Sequence, residues 1–511
     1  MISSRLLPYL LCGLGAFLGF ANNVLHLPPL ALGLPAGLAW LAFRAASFKQ
    51  AFKRGFIGGL AACLVCLYWI VNPVHVYGGL PLALALPCPV LVSMVLALYY
   101  ALFTALLYLA ARRLSPVMVV VFAAPVWAGL EMLAGVLFSG FPWMSLASAM
   151  AFWPAMVQGA SLVGAYALSG LWAALAVAAT LGVTLKGPRL AAIVLLAALL
   201  APAAWTLPNP PAAAGDAAVG LAQGNIDQSL KWDDSYQRAT VERYLDLSRS
   251  LLKKHELDLL VWPETAMPFY LQESSPMTLL AKGFAKQHGV PLLAGSPGYK
   301  RLSPKKFVLF NRAYLIGPDG GMRGFYDKRH LVPFGEYVPF DEILPLGKLV
   351  TGVGDFIPGR DAKALRSGKL SLGLLICYEA IFPELAQDLA AQGANLLVNI
   401  SNDAWFGDTS APRQHLSHAV LRCVEQSRAM VRATNTGISV LIGPRGRILD
   451  RTPQFRAAVL AGELPLVEQS SVFHAVRGVL RPAVIAAALL FIGVVFSGSF
   501  RQRTSRRRES D

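Results

Sequence analysis

The chain has 511 residues, 55% of them hydrophobic and only 14% charged, where soluble domains carry roughly 25% charged residues. That balance excludes an ordinary soluble protein and indicates one that lives in a membrane. The formal charge of +16 is not a nucleic-acid footprint, because much of it lies in short segments beside apolar runs: Arg44 to Arg54, Arg112 and Arg113, Lys186 and Arg189, and the Arg-rich tail.

Apolar runs near or beyond the ~20 residues that cross a hydrocarbon core recur at 6–24, 30–43, 55–71, 89–111, 117–137, 157–181 and 190–207. The run at 30–43 is the shortest. The first run is too long for a secretory signal, lacks a small-residue cleavage site and is followed by further spans, so it is taken as an anchor. Basic clusters fall at the start and after the second, fourth and sixth runs, whereas the links after the first, third and fifth contain no Lys or Arg. Under the positive-inside rule this puts both termini in the cytoplasm and the segment after the seventh run on the outer side. The last apolar run, 482–496, returns the chain to a cytoplasmic tail. Cys63 and Cys66 form a C-x-x-C inside an uncharged apolar run with no His or second pair, which speaks against a metal or redox site.

Glu131 is the only acidic residue before Asp216. At membrane depth it is either a functional group or a structural hydrogen-bond acceptor for a neighbouring helix. Arg477 and Arg481, on the outer side of the last span, either snorkel or meet lipid phosphates.

Residues 208–215, rich in Pro and Ala, form a linker. Beyond it strand-like runs (218–223, 258–262, 291–294, 313–317, 370–376, 395–400, 437–442) alternate with helix-like ones (236–255, 277–288, 414–433). Such alternation predicts an α/β domain of about 250 residues.

Within this domain the run 371–376 is apolar at strand length and ends at Cys377. A strand buried on both faces presents catalytic groups just past its carboxyl end, although a lone Cys is more often part of a core. A thiol attacks an acyl carbon as thiolate, so it needs a base or a cation nearby and a donor for the oxyanion. Glu264 ends a second such run, Leu-Leu-Val-Trp-Pro-Glu, and Lys328 precedes a loop containing Pro and Gly. A solvated surface charge remains the alternative for either, since spacing does not show that the three converge.

The order Pro-Glu at 263–264, Asp-Lys-Arg-His-Leu-Val-Pro-Phe-Gly-Glu at 327–336 and Cys-Tyr-Glu at 377–379 resembles the Glu, Lys, Cys triad of the nitrilase superfamily. With the flanking spans, and with Gln223-Gly224-Asn225, Lys231-Trp232, Asn402-Asp403-Ala404-Trp405-Phe406 and Gly140-Phe141-Pro142-Trp143, the chain is similar to the membrane-embedded branch, the apolipoprotein N-acyltransferases. The resemblance implies an α/β domain joined to an all-α membrane part: a nitrilase-like α-β-β-α sandwich inserted between the seventh and eighth of eight transmembrane helices. The domains would be seven spans in 1–211, a periplasmic catalytic domain in 212–472, and a final helix with a basic tail in 473–511. Glu264 would be the general base, Lys328 the oxyanion donor and Cys377 the nucleophile. Glu336, Tyr378 and Glu379 would support them. Trp232, Trp405 and Phe406 fall where the family has loop residues associated with substrate entry, with plain aromatic packing the alternative.

The implied partners are a phospholipid acyl donor, typically phosphatidylethanolamine, and a diacylglyceryl apolipoprotein, with no metal, organic cofactor or nucleic acid. The implied location is a bacterial inner membrane, with the chain acting as a monomer. One departure concerns Glu131, which is followed three residues later by Ala134 where the family commonly has Arg, so Glu131 is not assigned to the site. A membrane-tethered amidase using water in place of an amine, and a transporter or lipid-binding receptor that has lost catalysis, are the rival readings.

Overall fold

The computed structural model describes residues 5–183, 185–228, 234–304, 306–338 and 356–508. They divide into two compact units. The first comprises Met1–Tyr68, Leu86–Asn209 and Val472–Asp511, and the second Trp69–Ala85 and Pro210–Ser471.

The first unit is helical. Six helices of the described chain are long and apolar enough to cross a membrane: Phe48–Tyr77, Leu82–Ala111, Pro116–Ala134, Ala160–Gly182, Lys186–Thr206 and Val472–Ser497. The expected first two spans are shorter apolar helices, Leu7–Gly19 and Pro28–Phe43. Asn22 accounts for the early end of the first. Its amide nitrogen donates to Phe17 O (2.7 Å) and Leu25 O (2.8 Å), and its oxygen accepts from Val24 N and Leu25 N, both at 2.8 Å. That local network replaces the next helical turn with a loop.

The second unit contains two six-stranded sheets. Its strands are β1 (Asp216–Gln223), β2 (Leu259–Val261), β3 (Leu292–Ser303), β4 (Lys306–Ile316), β5 (Met322–Asp327), β6 (Leu365–Ser367), β7 (Leu370–Ile376), β8 (Leu396–Ser401), β9 (Ala429–Thr434), β10 (Val440–Ile442), β11 (Ile448–Arg451) and β12 (Ala458–Pro465). Strand order is β12-β1-β2-β3-β4-β5 in one sheet and β11-β10-β9-β8-β7-β6 in the other. The centre of each sheet is parallel, β1-β2-β3 and β7-β8-β9, and the flanking strands are antiparallel. Strands β1 and β12 pack against β9 and β10, while the helices Asp234–Leu252 and Pro383–Ala391 lie against β1 and β7 respectively. The core between helices and the first sheet is built from Val241, Tyr244, Trp262, Phe284 and Tyr314, all buried.

The predicted helix over 414–433 is two elements. A helix covers Ala411–Gln426, and β9 begins at Ala429. Ser427 takes the left-handed conformation (φ 51°, ψ 43°) and Arg428 N–H closes back on Cys423 O at 3.1 Å, which stops the helix. Every residue of both elements except the partly exposed Arg413 is buried, so no alternation of polar and apolar positions separates helix from strand in the sequence. The predicted short strand at 291–294 is the start of β3, whose hairpin with β4 runs on to Ser303.

Candidate active site

Three strand ends deliver the groups singled out in the sequence. Glu264 follows β2, Lys328 follows β5 and Cys377 follows β7. In open parallel sheets ligands bind beyond the carboxyl ends of strands, where loops can carry polar groups without breaking the sheet. The turns are tight: Thr265, Phe334 and Cys377 are non-glycine residues with φ of 53°, 62° and 52°, a backbone region that costs ~1–3 kcal/mol per residue and gathers at functional sites. Gly295 on β3 lets the Glu264 turn approach, because a Cβ there would lie 2.4 Å from Thr265 N and 2.7 Å from Glu264 Cα.

Lys328 is 1% exposed. Its Nζ lies 2.9 Å from Glu336 Oε2 and 3.7 Å from Glu264 Oε1. Burial works against the ammonium, but the two carboxylates, with a smaller share from Cys377, outweigh it and hold the Lys328 pKa above its ordinary value. The lysine is therefore a fixed cation. Asn311, on β4, uses both amide hydrogens on the same pair, donating to Glu264 Oε1 and to Glu336 Oε1, each at 2.7 Å. The remaining oxygens accept backbone N–H groups: Asn402 N–H to Glu264 Oε2 at 2.8 Å, and Val332 N–H to Glu336 Oε2 at 2.8 Å. Two carboxylates around one ammonium leave a net negative centre, which Asn311 and the two backbone donors make tolerable in a buried place.

Cys377 opens a 3-10 turn, Cys377–Ile381, and is buried. Its thiol is pushed up to about 12, first by burial and then by the Glu264 charge; Lys328 and a hydrogen bond with Ser401 pull it back only in part. At neutral pH the resting sulfur is a thiol, and Glu264 is the neighbouring carboxylate that can receive its proton.

Two buried networks hold the turn. Glu379 Oε2 accepts Ile376 N–H at 2.7 Å, while Oε1 accepts Arg329 N–H (2.6 Å), His330 N–H (3.2 Å) and the Tyr326 hydroxyl (3.0 Å). This carboxylate ties the Lys328 loop to the Cys377 turn, and burial raises its pKa to about 7. On the other side His415 Nε2 lies 2.9 Å from the Cys377 carbonyl oxygen, and its Nδ1 lies 3.0 Å from Arg432 Nη2. Arginine only donates, so Nδ1 accepts and the proton sits on Nε2, bonded to the Cys377 carbonyl. Burial first and the Arg432 charge second keep His415 neutral, against the pull of Asp403. Asp403 in turn pairs with Arg432 at 2.9 Å and accepts the Ser401 hydroxyl at 2.7 Å.

The remaining predicted residues separate. Tyr378 is buried with its ring against His330 and Phe382. Trp405 and Phe406 are half-buried and meet Tyr77 and Trp69 edge-on, with ring centroids 5.0 and 5.1 Å apart. Their loop is also tied by hydrogen bonds from Asn72 to Trp405 O (2.8 Å) and from Tyr77 to Ala404 O (3.0 Å). Trp232 lies outside the described residues. Asn311, His415 and Arg432 carry much of the geometry and were not singled out from the sequence.

A family model described as carbon-nitrogen hydrolase matches residues 217–472, and one described as apolipoprotein N-acyltransferase N-terminal domain matches residues 13–179. Among curated relatives, the apolipoprotein N-acyltransferase of Geobacter metallireducens is 40% identical over 491 residues, covering 91% of this chain and 93% of its own. That of Azotobacter vinelandii is 36% identical over 471 residues (88% and 87% coverage), and that of Pseudomonas aeruginosa 35% over 451 residues (85% of each). Both halves of the chain, the helical unit and the two-sheet unit that carries the Glu264, Lys328 and Cys377 cluster, fall within these matches. The chain thus belongs to the apolipoprotein N-acyltransferase family.

Proposed function

We propose that the chain moves an acyl chain from a phospholipid, through a thioester on Cys377, to the α-amino group of the diacylglyceryl cysteine that begins an apolipoprotein. What supports this reading is the meeting of Glu264, Lys328 and Glu336 within 3.7 Å, beside a thiol that senses both the Glu264 and Lys328 charges. In the first step the sulfur attacks the ester carbonyl while Glu264 takes the thiol proton. The oxyanion forms near Lys328, and its collapse expels the lysophospholipid oxygen, which recovers the proton from Glu264. In the second step the acceptor amine attacks the thioester, Glu264 takes the amine proton, and collapse returns the sulfur to be reprotonated. Glu336 and Asn311 hold Glu264 and Lys328 in register. Water excluded from a buried site protects the thioester from hydrolysis.

The family and the apolar helices support an inner-membrane location. The finer assignment is also proposed: eight crossings, termini in the cytoplasm, the catalytic domain of 212–472 in the periplasm between membrane parts 1–211 and 473–511, phosphatidylethanolamine as donor, and a monomer as the working form. A donor and an acceptor that are both lipid-anchored reach such a site by diffusion in the membrane. The test is mass spectrometry of the purified protein after incubation with phosphatidylethanolamine. One acyl group should appear on Cys377, released by hydroxylamine, and Cys377→Ala should carry none. An unmodified Cys377 under turnover conditions would refute the thioester.

A further inference from the structure

Glu131 sits on the helix Pro116–Ala134. Its oxygens accept the Trp127 indole N–H (2.8 Å), the Leu146 backbone N–H (2.9 Å) and the Ser145 hydroxyl (3.0 Å). Ser145 Oγ also lies 3.2 Å from Ser169 Oγ, which accepts the Ala147 N–H at 2.9 Å. Two N–H donors on one oxygen and a hydroxyl beside the other give the group an acceptor's surroundings, which suit a carboxylate. Among the described residues no Lys, Arg or His side chain forms an ion pair with it, and a charge in a membrane unit ordinarily finds a partner.

The same carboxylate lines a cavity walled by the rings of Tyr99, Tyr100, Phe103, Trp127 and Phe141. Trp127 anchors that wall, with ring centroids 4.9 Å from Phe103 and 5.7 Å from Tyr100. Aromatic faces attract cations, more strongly where water is sparse, and together with a carboxylate they form the usual receptor for an alkylammonium group. Between Glu131 and Phe141 the chain exposes Leu133, Val136, Leu137 and Phe138, apolar surface suited to acyl chains rather than to water.

We propose that the Glu131 cavity binds the alkylammonium head of a membrane lipid, with the carboxylate as counter-ion and the rings as its cage. This site is built from residues of the helical unit alone and does not rest on the roles assigned to Glu264, Lys328 and Cys377. A hydrogen-bond post tying the helix to the 145–146 turn would need the acceptors but not the charge, and Glu131→Gln tells the two apart. The amide oxygen can still accept from Trp127 and Leu146, and the amide nitrogen can donate to Ser145 Oγ.

The full chain and its Glu131→Gln variant would be released from bilayers of equal phosphatidylethanolamine and phosphatidylglycerol and weighed by native mass spectrometry, with thermal unfolding as the check on folding. Wild type should keep one more phosphatidylethanolamine per chain than the variant, and should prefer it at least ten-fold over phosphatidylglycerol at that position. Equal lipid number and preference in the two proteins would overturn the proposal. A second measurement needs no variant: N-acetylated phosphatidylethanolamine, which lacks the ammonium, should fail to compete for that lipid in wild type. Equal competition would overturn the cation site, and displacement by millimolar free ethanolamine would overturn the lipid as its occupant.

Discussion

Cys377 combines two properties that pull in opposite directions. Burial and the Glu264 charge keep its sulfur protonated, with a pKa of about 12, yet the proposed chemistry needs a nucleophilic sulfur. The resolution is a proton transfer at the moment of attack rather than a standing thiolate. Glu264→Gln should therefore lower the pH at which iodoacetamide alkylates Cys377, because a raising charge has gone. The same variant should slow thioester formation by ~10²–10⁴-fold, because the base has gone too. Alkylation profiles and acyl-enzyme mass spectra read the two effects separately. Lys328→Ala should cost ~10²–10³-fold in thioester formation through the lost oxyanion donor, and it should move the thiol pKa up, since Lys328 lowers it. Asn311→Leu keeps the volume but strips one donor from each of Glu264 and Glu336. Each buried oxygen left without that donor costs about 1–3 kcal/mol, so turnover should fall at least ten-fold with a lowered Tm.

At the scale of elements, the site depends on turns that other strands shape. Gly295→Ala on β3 would drive a methyl group into the Thr265 and Glu264 backbone. Overpacking of that kind costs about 1–3 kcal/mol, and a shift of the base by an ångström costs roughly 10²-fold in rate. Tm and thioester yield should both fall. Glu379 belongs to the same scale because it joins two loops. Its pKa is raised from 4.5 to about 7, so the folded state binds this proton more tightly than the unfolded chain. The stability it contributes is complete below about 4.5 and is lost as pH rises through about 7. Glu379→Gln should flatten that part of the Tm-against-pH curve. It should also lower Tm overall, since the amide cannot accept all four of the hydrogen bonds the carboxylate receives.

At the scale of the whole molecule, composition and charge separate a helical unit whose acids are Glu131, Glu509 and Asp511 from a unit where acids and bases recur along strands and helices. The proposed topology predicts that a reporter fused after Ala212 is active only outside the cytoplasm and one fused after Arg501 only inside. A cytoplasmic signal from the first fusion would reverse the sidedness. Trp69–Ala85, which begins within the last residues of the third apolar run, groups with the two-sheet unit, so changes at Tyr77 or Asn72 should be read first for their effect on the Trp405 and Phe406 loop.

The sequence by itself determined the membrane character and the α/β class of the two-sheet unit, and it singled out the three residues that the proposed mechanism uses. Each of these is written in local terms: runs of apolar residues, alternation of strand and helix patterns, and a polar group placed where an apolar run stops. Only the tertiary structure decided which residues hold the site in shape. Asn311 looks like any polar residue of a strand until β4 brings it between two carboxylates, and His415 looks like a helix residue until its ring meets the Cys377 carbonyl. The strand at Ala429 was hidden for a related reason, since an element buried on every side carries no periodic signal. The first apolar run ended early because Asn22 bonded to its own backbone. Such roles arise from partners distant in sequence or from side-chain geometry, and neither leaves a pattern along the chain.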